Sequence, residues 1–333
     1  MQSPPTSIPP TLPQVTAQVL HWRGLDKTRA CLQSLLAVSY SNLRILLVDN
    51  GSDSADHKIL KQEFPSIEIL VLDQNYGFSG GSNAGLKHAM SGGADFVWLL
   101  NNDATVGSDT LSGLVQIAMA NPGAGALGAV VVEGENANQA TGEAGLGAIN
   151  YFKAKTYLQR LPQIGGPGGA GAEGLGGGVL TFHRCQWLSG SNLLLRSTAL
   201  QQIGVFDERY YLYFEDVDLC LRLTRAGFAC LLVPGFVVRH VGNASTQGGL
   251  SLWRAYYHTR NRLIFFMHNA PPQTRLIALC AILAHFLRHC ISLPLKGKAG
   301  RAKLYAEWLG VKDYFGGKVG RATCLDWCEN INL

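Results

Sequence analysis

Residues 43–52 read LRILLVDNGS, and this short stretch decides the fold class. Residues 43–48 are so apolar that both faces of the strand they form must be covered, which is typical of a parallel sheet. The same pattern predicts further strands at 15–20, 67–72, 96–100, 127–132, 187–195, 228–233 and 236–240. Helical patterns lie between them at 26–37 (capped by Asp26), 81–90, 108–119 and 216–226. This alternation predicts an α/β domain with a mainly parallel sheet flanked by helices.

The overall composition is that of a folded protein. Of 333 residues, 47% are hydrophobic and only 15% are charged, which excludes a disordered chain. The eight cysteines have no CxxC spacing, and several lie in apolar runs. We therefore expect free thiols in a reduced, cytoplasmic compartment and no zinc site.

Composition shifts divide the chain into three parts. Residues 1–13 hold five prolines and no Lys or Arg, which predicts a disordered tail and not a signal peptide. Residues 14–250 form the predicted α/β domain, and 251–333 a basic helical extension. Within the domain, residues 134–178 contain thirteen glycines and are expected to be a mobile loop region, with a regular element only within 149–161. This region is either an active-site lid or an insertion.

The basic residues are concentrated near the C-terminus. Residues 241–333 hold 12 Lys/Arg against 4 Asp/Glu, whereas residues 1–240 hold 16 against 19. This imbalance indicates either an anionic partner or a solvated basic face. Nucleic acid is not expected, because no binding motif accompanies the charge. Residues 276–287 are apolar except for His285 but are too short to span a bilayer, so they either lie on a membrane or pack against the core.

Polar residues follow the predicted strands where each strand ends. In an open parallel sheet, ligands bind in the crevice at these carboxyl ends. The residues delivered there are His21, Asp49, Asn75, Asn101–Asp103 and His240. The glycine-rich string GFSGGSNAG at 77–85 enters a helix, where backbone N–H groups can face a phosphate. Two GxGxxG strings, at 123–128 and 166–171, neither follow a strand nor open a helix, which disfavours a dinucleotide oxidoreductase.

Five stretches of this sequence resemble family 2 glycosyltransferases, in the rhamnosyltransferase-like branch of bacterial surface-polysaccharide enzymes. They are ILLVDNGSDS (45–54), NYGFSGGSNAGL (75–86), VWLLNNDA (97–104), IGVFDERYYLYFEDVDLCLRLTRAGF (203–228) and VRHVGNAST (238–246). The resemblance implies a GT-A fold, a nucleotide-diphosphate sugar donor, a divalent metal ion and inversion at the anomeric carbon.

The resemblance also implies a nucleotide-sugar site. Its residues would be His21, Asp49, Asn75, Gly77, Asn83, Asn101, Asn102 and Gly190. Asp49 would hydrogen-bond the pyrimidine base, with capping of the following turn as its structural alternative. Gly77 is equally compatible with a plain helix-entry turn. Gly190 would lie where donor sugar and acceptor meet.

The metal site implied by the resemblance departs from the family pattern. The family has a DxD motif where this chain has Asn101-Asn102-Asp103, so only the last carboxylate is kept. Asp103 and His240 would ligate Mn²⁺ or Mg²⁺, with Asn101 or water and two diphosphate oxygens completing the shell. A buried core histidine is the alternative for His240.

The catalytic base implied by the resemblance is Asp216, with Glu215 beside it. An inverting transfer needs a carboxylate that takes the proton from the attacking hydroxyl. Either residue could also cap the helix that follows. The basic string at 258–262 either meets the phosphate of a lipid-linked acceptor or forms a solvated helix face.

These observations predict a cytoplasmic inverting glycosyltransferase with a UDP- or dTDP-sugar donor, dTDP-rhamnose among them. Its acceptor would be a glycan or a polyprenyl-linked glycan in cell-surface polysaccharide synthesis, with peripheral membrane contact through the basic C-terminal region. The alternative is a non-catalytic nucleotide-sugar-binding subunit of an assembly complex. A nucleotidyltransferase is disfavoured, because no basic glycine-rich loop lies near the N-terminus.

Overall fold

A computed structural model of the protein describes residues 12–52, 55–133, 145–160, 181–240 and 249–323. The strands are β1 (Val15–His21), β2 (Leu43–Asp49), β3 (Glu68–Val71), β4 (Phe96–Asn101), β5 (Ala104–Val106), β6 (Ala124–Glu133), β7 (Gly145–Asn150), β8 (Lys155–Arg160), β9 (His183–Cys185), β10 (Asn192–Arg196) and β11 (Ala229–His240). The helices are α1 (Leu25–Leu36), α2 (Asp56–Glu63), α3 (Gly77–Ser91), α4 (Thr110–Ala120), α5 (Ser197–Ile203), α6 (Glu215–Arg225), α7 (Gly249–Asn269), α8 (Pro272–Ser292) and α9 (Gly297–Phe315).

The central sheet has the strand order β3-β2-β1-β4-β10-β6-β11-β5, and β9 pairs with β11 at its side. Strands β3, β2, β1 and β4 are all parallel, and β11 is parallel to β6. Strand β10 runs antiparallel between β4 and β6. The predicted α/β fold with a mostly parallel central sheet and a helical C-terminal region is confirmed.

The sheet is covered on both faces, as the apolar strands predict. Along β4, Phe96, Trp98 and Leu100 pack into one core cluster, whereas the alternate residues Val97 and Leu99 pack into another on the opposite face. Each large side chain fully removed from water contributes about 1.5–3 kcal/mol. Burial on both faces is therefore what makes such strands continuously apolar.

Three local predictions need correction. Helix α1 is not capped by Asp26, since its N-cap is Gly24 in the left-handed conformation (φ 94°) and Asp26 lies in the first turn. The strand expected at 187–195 begins only at Asn192, which leaves 187–191 as a loop. The two strands expected at 228–240 are one strand, β11, whose pairing with β6 shifts between Val233 and Val237. Pro234 in that gap has no N–H to donate, so the ladder shifts register and continues.

The glycine-rich region contains an antiparallel hairpin of β7 and β8. It begins at Gly145, earlier than the 149–161 element predicted there. Gly147 is required by packing, because a Cβ at this position would lie 2.1 Å from the carbonyl oxygen of Trp187. The remaining parts of the predicted loop region, and residues 1–11 of the predicted tail, lie outside the described residues.

The C-terminal helices pack against the segment that leads into α6. Leu263, Phe265 and Phe266 of α7 form a cluster with Phe214 and Val217. The apolar run predicted at 276–287 lies within α8, which is longer than predicted. The helical stretch Pro272–Phe315 contains an 18-residue window with a mean hydropathy of 1.9, long and apolar enough to cross a membrane by length and composition, and 17% of it is buried.

Candidate active site

A cavity of about 270 Å³ opens at the carboxyl ends of the central strands. Five residues predicted for the site line it: Asn101, Gly190, Glu215, Asp216 and His240. They come from the end of β4, the loop before β10, the start of α6 and the end of β11. The fold therefore brings together residues that are up to 139 positions apart in the chain.

Asp216 is held rigidly at the wall of this cavity. Its Oδ1 accepts a hydrogen bond of 2.8 Å from the Val217 N–H, and its Oδ2 accepts one of 2.9 Å from the Gly190 N–H. The N-cap of α6 is Phe214, and no side chain caps this helix end. Neither Glu215 nor Asp216 is the N-cap residue, but the Asp216 carboxylate does accept a first-turn N–H of α6, and the two backbone donors together fix its orientation.

Glu215 lies beside Asp216 in a different environment. Its Oε2 is buried and has no hydrogen-bond partner among the described residues. Burial, followed by the charge of Asp216, raises the pKa of Glu215 well above its usual range. Burial also raises the pKa of Asp216, but the Gly190 and Val217 N–H groups oppose this shift. Within the pair, Glu215 is therefore the residue that retains a proton and Asp216 the one better suited to be ionised.

Gly190 allows the loop before β10 to approach Asp216. A Cβ at this position would lie 3.2 Å from the ring of Phe78 and 3.5 Å from the Cβ of Asp216. The absence of a side chain lets the Gly190 N–H reach the Asp216 carboxylate. Its predicted position near the donor sugar stays a prediction.

Asp103 and His240 form the predicted pair next to the cavity. Strand β11 pairs with β5 so that His240 lies opposite Ala104, directly after Asp103. The His240 Nε2 is 2.9 Å from the Asp103 Oδ1 and 3.2 Å from the Asn101 amide nitrogen. Burial acts to raise the pKa of Asp103, but the hydrogen bond and charge of His240 outweigh it and lower that pKa.

The donor set of this pair suits a divalent cation. One ring nitrogen cannot hydrogen-bond to a carboxylate and an amide at the same time, whereas a neutral imidazole, a carboxylate and an amide oxygen are all metal ligands. Among the residues that the structure describes, no cluster of three or more His, Cys, Asp or Glu could hold a metal ion. The protein thus supplies two strong ligands, Asp103 and His240, and a substrate or water would complete the shell.

His21 and Asn102 lie together under the start of α1 and do not line the cavity. The His21 Nδ1 is 2.8 Å from the Thr28 hydroxyl, which also accepts a 2.8 Å hydrogen bond from the Asn102 amide. The His21 Nε2 lies 3.3 Å from a carboxylate oxygen of Asp56. Burial lowers the pKa of His21. Both side chains are engaged by the protein, and their contact with a nucleotide stays a prediction.

Asp49 stabilises the turn that follows β2. Its carboxylate accepts hydrogen bonds of 2.9 Å from both the N–H and the hydroxyl of Ser52, and it lies 2.7 Å from the His57 Nδ1. This is the turn-capping role that was its structural alternative. Recognition of the pyrimidine base by Asp49 stays a prediction.

The block around Asn75, Gly77 and Asn83 connects α3 to the segment before α6. The Asn75 Oδ1 accepts a 2.8 Å hydrogen bond from the Gly77 N–H, and a Cβ on Gly77 would lie 2.5 Å from the Tyr211 carbonyl oxygen. The Asn83 amide bonds to both backbone groups of Phe206 at 2.9 Å. These three residues position the cavity wall, and their nucleotide contacts stay predictions.

Comparison with known proteins assigns the family. Residues 13–265, about three quarters of the chain, match the model of the family described as "Glycosyltransferase like family 2". The chain belongs to glycosyltransferase family 2. The resemblance stated from its motifs is thereby confirmed, and the protein is a glycosyltransferase.

Several relatives are rhamnosyltransferases. The chain is 29% identical over 231 residues to the N-acetylglucosaminyl-diphospho-decaprenol L-rhamnosyltransferase of Mycobacterium tuberculosis, covering 63% of this chain and 70% of that protein. It is 20% identical over 241 residues to the dTDP-rhamnosyl transferase RfbF of Shigella flexneri, covering 69% and 73%. A 65-residue segment is 43% identical to the rhamnosyltransferase WbbL of Escherichia coli, covering 20% and 25%.

Solved structures share the fold. GalNAc-T7 with UDP, GalNAc and Mn²⁺ superposes with a TM-score of 0.58 at 11% identity, over 78% of this chain and 57% of that chain. The mannosyltransferase PcManGT of Pyrobaculum calidifontis, in complex with GDP-Man and Mn²⁺, superposes with a TM-score of 0.53 at 14% identity, over 92% and 88%. The fold of this family 2 glycosyltransferase is GT-A, as predicted.

The glycosyltransferase has a buried polar pair in α7 whose structural role was not predicted from the sequence. Arg260 and Asn261 of α7 are both fully buried. The Asn261 amide nitrogen lies 2.7–2.9 Å from the carbonyl oxygens of Tyr210, Leu212 and Tyr213. The Arg260 Nη2 lies 3.1 Å from the Tyr210 carbonyl, and its Nε bonds to the Asn261 amide oxygen at 3.0 Å. For these two residues, neither the lipid-phosphate contact nor the solvated face predicted for 258–262 is correct.

This pair holds a strained turn directly before Glu215 and Asp216. Tyr211, Tyr213 and Phe214 have φ values of 64°, 69° and 75°, in the left-handed region that costs a non-glycine residue about 1–3 kcal/mol. The hydrogen bonds from Asn261 hold these peptides in place. In the sequence, Arg260 and Asn261 lie between two apolar stretches that are both buried, Tyr256–Tyr257 and Leu263–Phe266. Polar residues in such a position must be hydrogen-bonded within the protein, and this was the signal for their structural role.

Proposed function

We propose that this enzyme is an inverting glycosyltransferase that moves a sugar from a dTDP- or UDP-linked donor to a glycan or polyprenyl-diphosphate-linked glycan in cell-surface polysaccharide synthesis. The observation that carries the proposal is the cavity lined by Glu215, Asp216 and His240, with Asp103 paired to His240 beside it. The names of the rhamnosyltransferase relatives support rhamnose as the donor sugar, and one of them supports a lipid diphosphate acceptor.

The transfer is a single displacement at the anomeric carbon. The acceptor hydroxyl oxygen forms the new bond to that carbon, the Asp216 carboxylate takes the hydroxyl proton, and the bond to the nucleoside diphosphate breaks with both its electrons on the leaving oxygen. The two N–H groups on Asp216 hold the base in one orientation, which favours a near-attack geometry. Protonated Glu215 adds no negative charge beside the leaving diphosphate.

A divalent cation held by Asp103 and His240 would neutralise charge on the leaving diphosphate. The two fold neighbours hold Mn²⁺ in their own complexes, which supports this ion over a metal-free site. Either Mn²⁺ or Mg²⁺ is compatible with the proposed site.

Turnover of defined donors tests the proposed function. The purified enzyme is incubated with Mn²⁺, a GlcNAc-diphosphate-lipid acceptor and, in separate reactions, dTDP-rhamnose, UDP-GlcNAc and GDP-mannose. We expect transfer from one pyrimidine-linked donor with inverted anomeric configuration, read from the product by NMR. Transfer with retention, or from the GDP donor alone, would contradict the proposal.

Loss of the Asp103 carboxylate should weaken the metal site selectively. Asp103→Ala is expected to raise the Mn²⁺ concentration needed for half-maximal activity by more than about tenfold, because losing even a supporting residue of a metal ligand commonly costs 10–100-fold. Mn²⁺ titration of activity measures this. Asp109→Ala removes an exposed carboxylate at the start of α4 and should leave the titration unchanged. An unchanged titration for Asp103→Ala would remove this residue from the proposed site.

The membrane contact in this proposal rests on α8. One face of α8 packs inward through Ala278 and Ile282, whereas Leu276, Leu287 and Ile291 are 70%, 62% and 75% exposed. These exposed side chains form a single apolar stripe along the helix. The exposed side chains on and after α8 include five cations and no carboxylate up to residue 306, which complements an anionic lipid surface: Arg275, Arg288, Lys296, Lys298 and Arg301. We place the enzyme on the cytoplasmic face of the plasma membrane.

Vesicle sedimentation tests the membrane contact. Leu287→Ser/Ile291→Ser is expected to reduce binding to phosphatidylglycerol vesicles by about tenfold or more, because each apolar side chain removed from water contributes about 1.5–3 kcal/mol. Leu36→Ser/Met119→Ser, which changes two exposed apolar residues on α1 and α4, is the matched control. Equal sedimentation of all three proteins, or none for the wild type, would contradict this part of the proposal.

A further inference from the structure

A row of cationic side chains leads from the catalytic cavity along α7. We call Arg254, His258, Arg262 and the adjacent Lys303 of α9 the cationic row. The first three are four residues apart and therefore share one helix face. The row begins at the cavity, because Tyr213 lines the cavity and its ring centre lies 4.5 Å from that of His258.

The row has no acidic partner. No ion pair joins Arg254, Arg262 or Lys303 to any carboxylate of the described residues, and residues 219–306 contain no Asp or Glu at all. Partial desolvation against the Tyr213 ring, and then the charges of Arg254, Arg262 and Lys303, lower the pKa of His258. The neutral form of His258 is therefore favoured beside three cations. Cations that are close together and lack carboxylates mark a place where a polyanion is favoured.

Arg262 is held in place by neutral groups only. Its Nε donates to the Ala154 carbonyl oxygen at 2.6 Å and its Nη2 to that of Lys153 at 3.1 Å, both in the turn between β7 and β8. Burial lowers the pKa of Arg262 to about 10. A partly buried guanidinium fixed by two carbonyls keeps its full charge available for a ligand.

The far end of the row reaches α8. Ala154, whose carbonyl accepts the hydrogen bond from Arg262, packs in one hydrophobic cluster with Ala278 and Ile282 of α8. The row thus lies between the cavity and the helix that carries the exposed apolar stripe. A ligand that contacts all three regions would place a sugar in the cavity, an anionic group on the row and an apolar chain beside α8.

We propose that the cationic row binds the diphosphate of a lipid-linked acceptor, with the acceptor sugar in the cavity and the lipid directed towards α8. This inference rests on the proposed function and specifies how its acceptor is recognised. Arg254 and Arg262 are eight residues apart, about 12 Å along the helix axis, with His258 midway between them. A diphosphate beside His258 is therefore about 6 Å along the axis from each arginine. The donor diphosphate is assigned to Asp103 and His240, where β11 pairs with β5, whereas the row lies on α7 and α9, so the row serves a second anion.

Calorimetric binding of two probes tests the inference on the full-length enzyme. Farnesyl diphosphate reports on the row, and dTDP with Mn²⁺ reports on the donor site. Arg254→Gln/Lys303→Gln changes two exposed side chains and is expected to weaken farnesyl diphosphate binding by at least about tenfold, because charge-assisted hydrogen bonds to phosphate are lost. Binding of dTDP should be unchanged. Lys87→Gln/Lys298→Gln, with the same loss of charge at exposed positions outside the row, should bind both probes as the wild type does.

Three results would overturn the inference. Equal farnesyl diphosphate affinity in the wild type and the Arg254→Gln/Lys303→Gln variant would show that the row does not bind it. A parallel loss of dTDP binding would assign the row to the donor. Binding of phosphatidylglycerol vesicles through Arg254 and Lys303, without any binding of farnesyl diphosphate, would assign it to lipid headgroups. Failure of the proposed function gives a different result, namely no sugar transfer to the acceptor by the wild type from any pyrimidine-linked donor.

Discussion

Asp216→Asn is expected to lower kcat by about 10²–10⁴-fold, the contribution of a well-placed general base. The variant keeps the size of the side chain but removes the carboxylate that accepts the proton. An amide also offers only one oxygen to the two N–H donors of Gly190 and Val217, so some loss of local order is expected. Donor binding should be retained, since the base acts on the acceptor. Steady-state kinetics together with dTDP binding separate these two effects.

The neighbouring carboxylate provides the sharpest comparison. Glu215 is buried, its Oε2 has no hydrogen-bond partner among the described residues, and its raised pKa favours the protonated form. Glu215→Gln therefore preserves a neutral side chain and is expected to lose less activity than Asp216→Asn. Asp26→Asn, at a side chain that is 94% exposed, controls for loss of one negative charge. A larger loss for Glu215→Gln than for Asp216→Asn would move the role of base to Glu215.

Asn261→Ala is expected to lower the free energy of unfolding by about 3 kcal/mol and kcat by more than about tenfold. The variant removes the two N–H donors that the carbonyls of Tyr210, Leu212 and Tyr213 share, and only Tyr210 keeps a side-chain donor, from Arg260. Each buried polar group left unpaired costs about 1–3 kcal/mol. The strained residues Tyr211, Tyr213 and Phe214 would relax, and Glu215 follows them directly in the chain. A small shift of the base away from the acceptor is enough to reduce turnover strongly.

Urea unfolding and kcat measure the two parts of this prediction. His268→Ala, on the exposed side of the same helix, should change the free energy of unfolding by less than about 0.5 kcal/mol. If Asn261→Ala lowers stability but leaves kcat of the folded protein unchanged, these hydrogen bonds support the fold alone. If it changes neither quantity, the hydrogen bonds of Asn261 contribute nothing measurable to stability or to turnover, which contradicts the prediction.

The parallel sheet was predictable because its signal is local. An apolar run such as residues 43–48 can be stable only when both faces are covered, and the structure covers them. The Glu215–Asp216 pair was also found from one contiguous motif. The hairpin of β7 and β8 was harder to predict, because glycine-rich sequence gives little periodicity.

Polar residues at strand ends were predicted less well than the strands themselves. The sequence places Asp49 and Asn101 at the same edge of the sheet, and the register of β1 with β2 and with β4 confirms this for both residues. The sequence does not tell which of the two side chains faces the cavity. Asn101 lines the cavity, whereas the carboxylate of Asp49 accepts hydrogen bonds from Ser52. Both environments favour the same residue types, so only the tertiary structure separates them.

Long-range partners were the least predictable feature. The pairing of β11 with β5 places His240 beside Asp103, and α7 brings Asn261 to the turn before Glu215. Contacts of this kind depend on how distant elements pack, and no local pattern in the chain encodes them. The resemblance to the family supplied the first pair but not the second.

The central claim is that the cavity binds a nucleoside diphosphate together with a divalent metal. Calorimetric titration of the wild type with dTDP, UDP, GDP and NAD, each with and without Mn²⁺, tests this most directly. We predict that one pyrimidine diphosphate binds tightly only when Mn²⁺ is present and that Asp103→Ala needs more than about tenfold more Mn²⁺ for the same binding. Binding of none of the diphosphates, or a preference for NAD, would contradict the account.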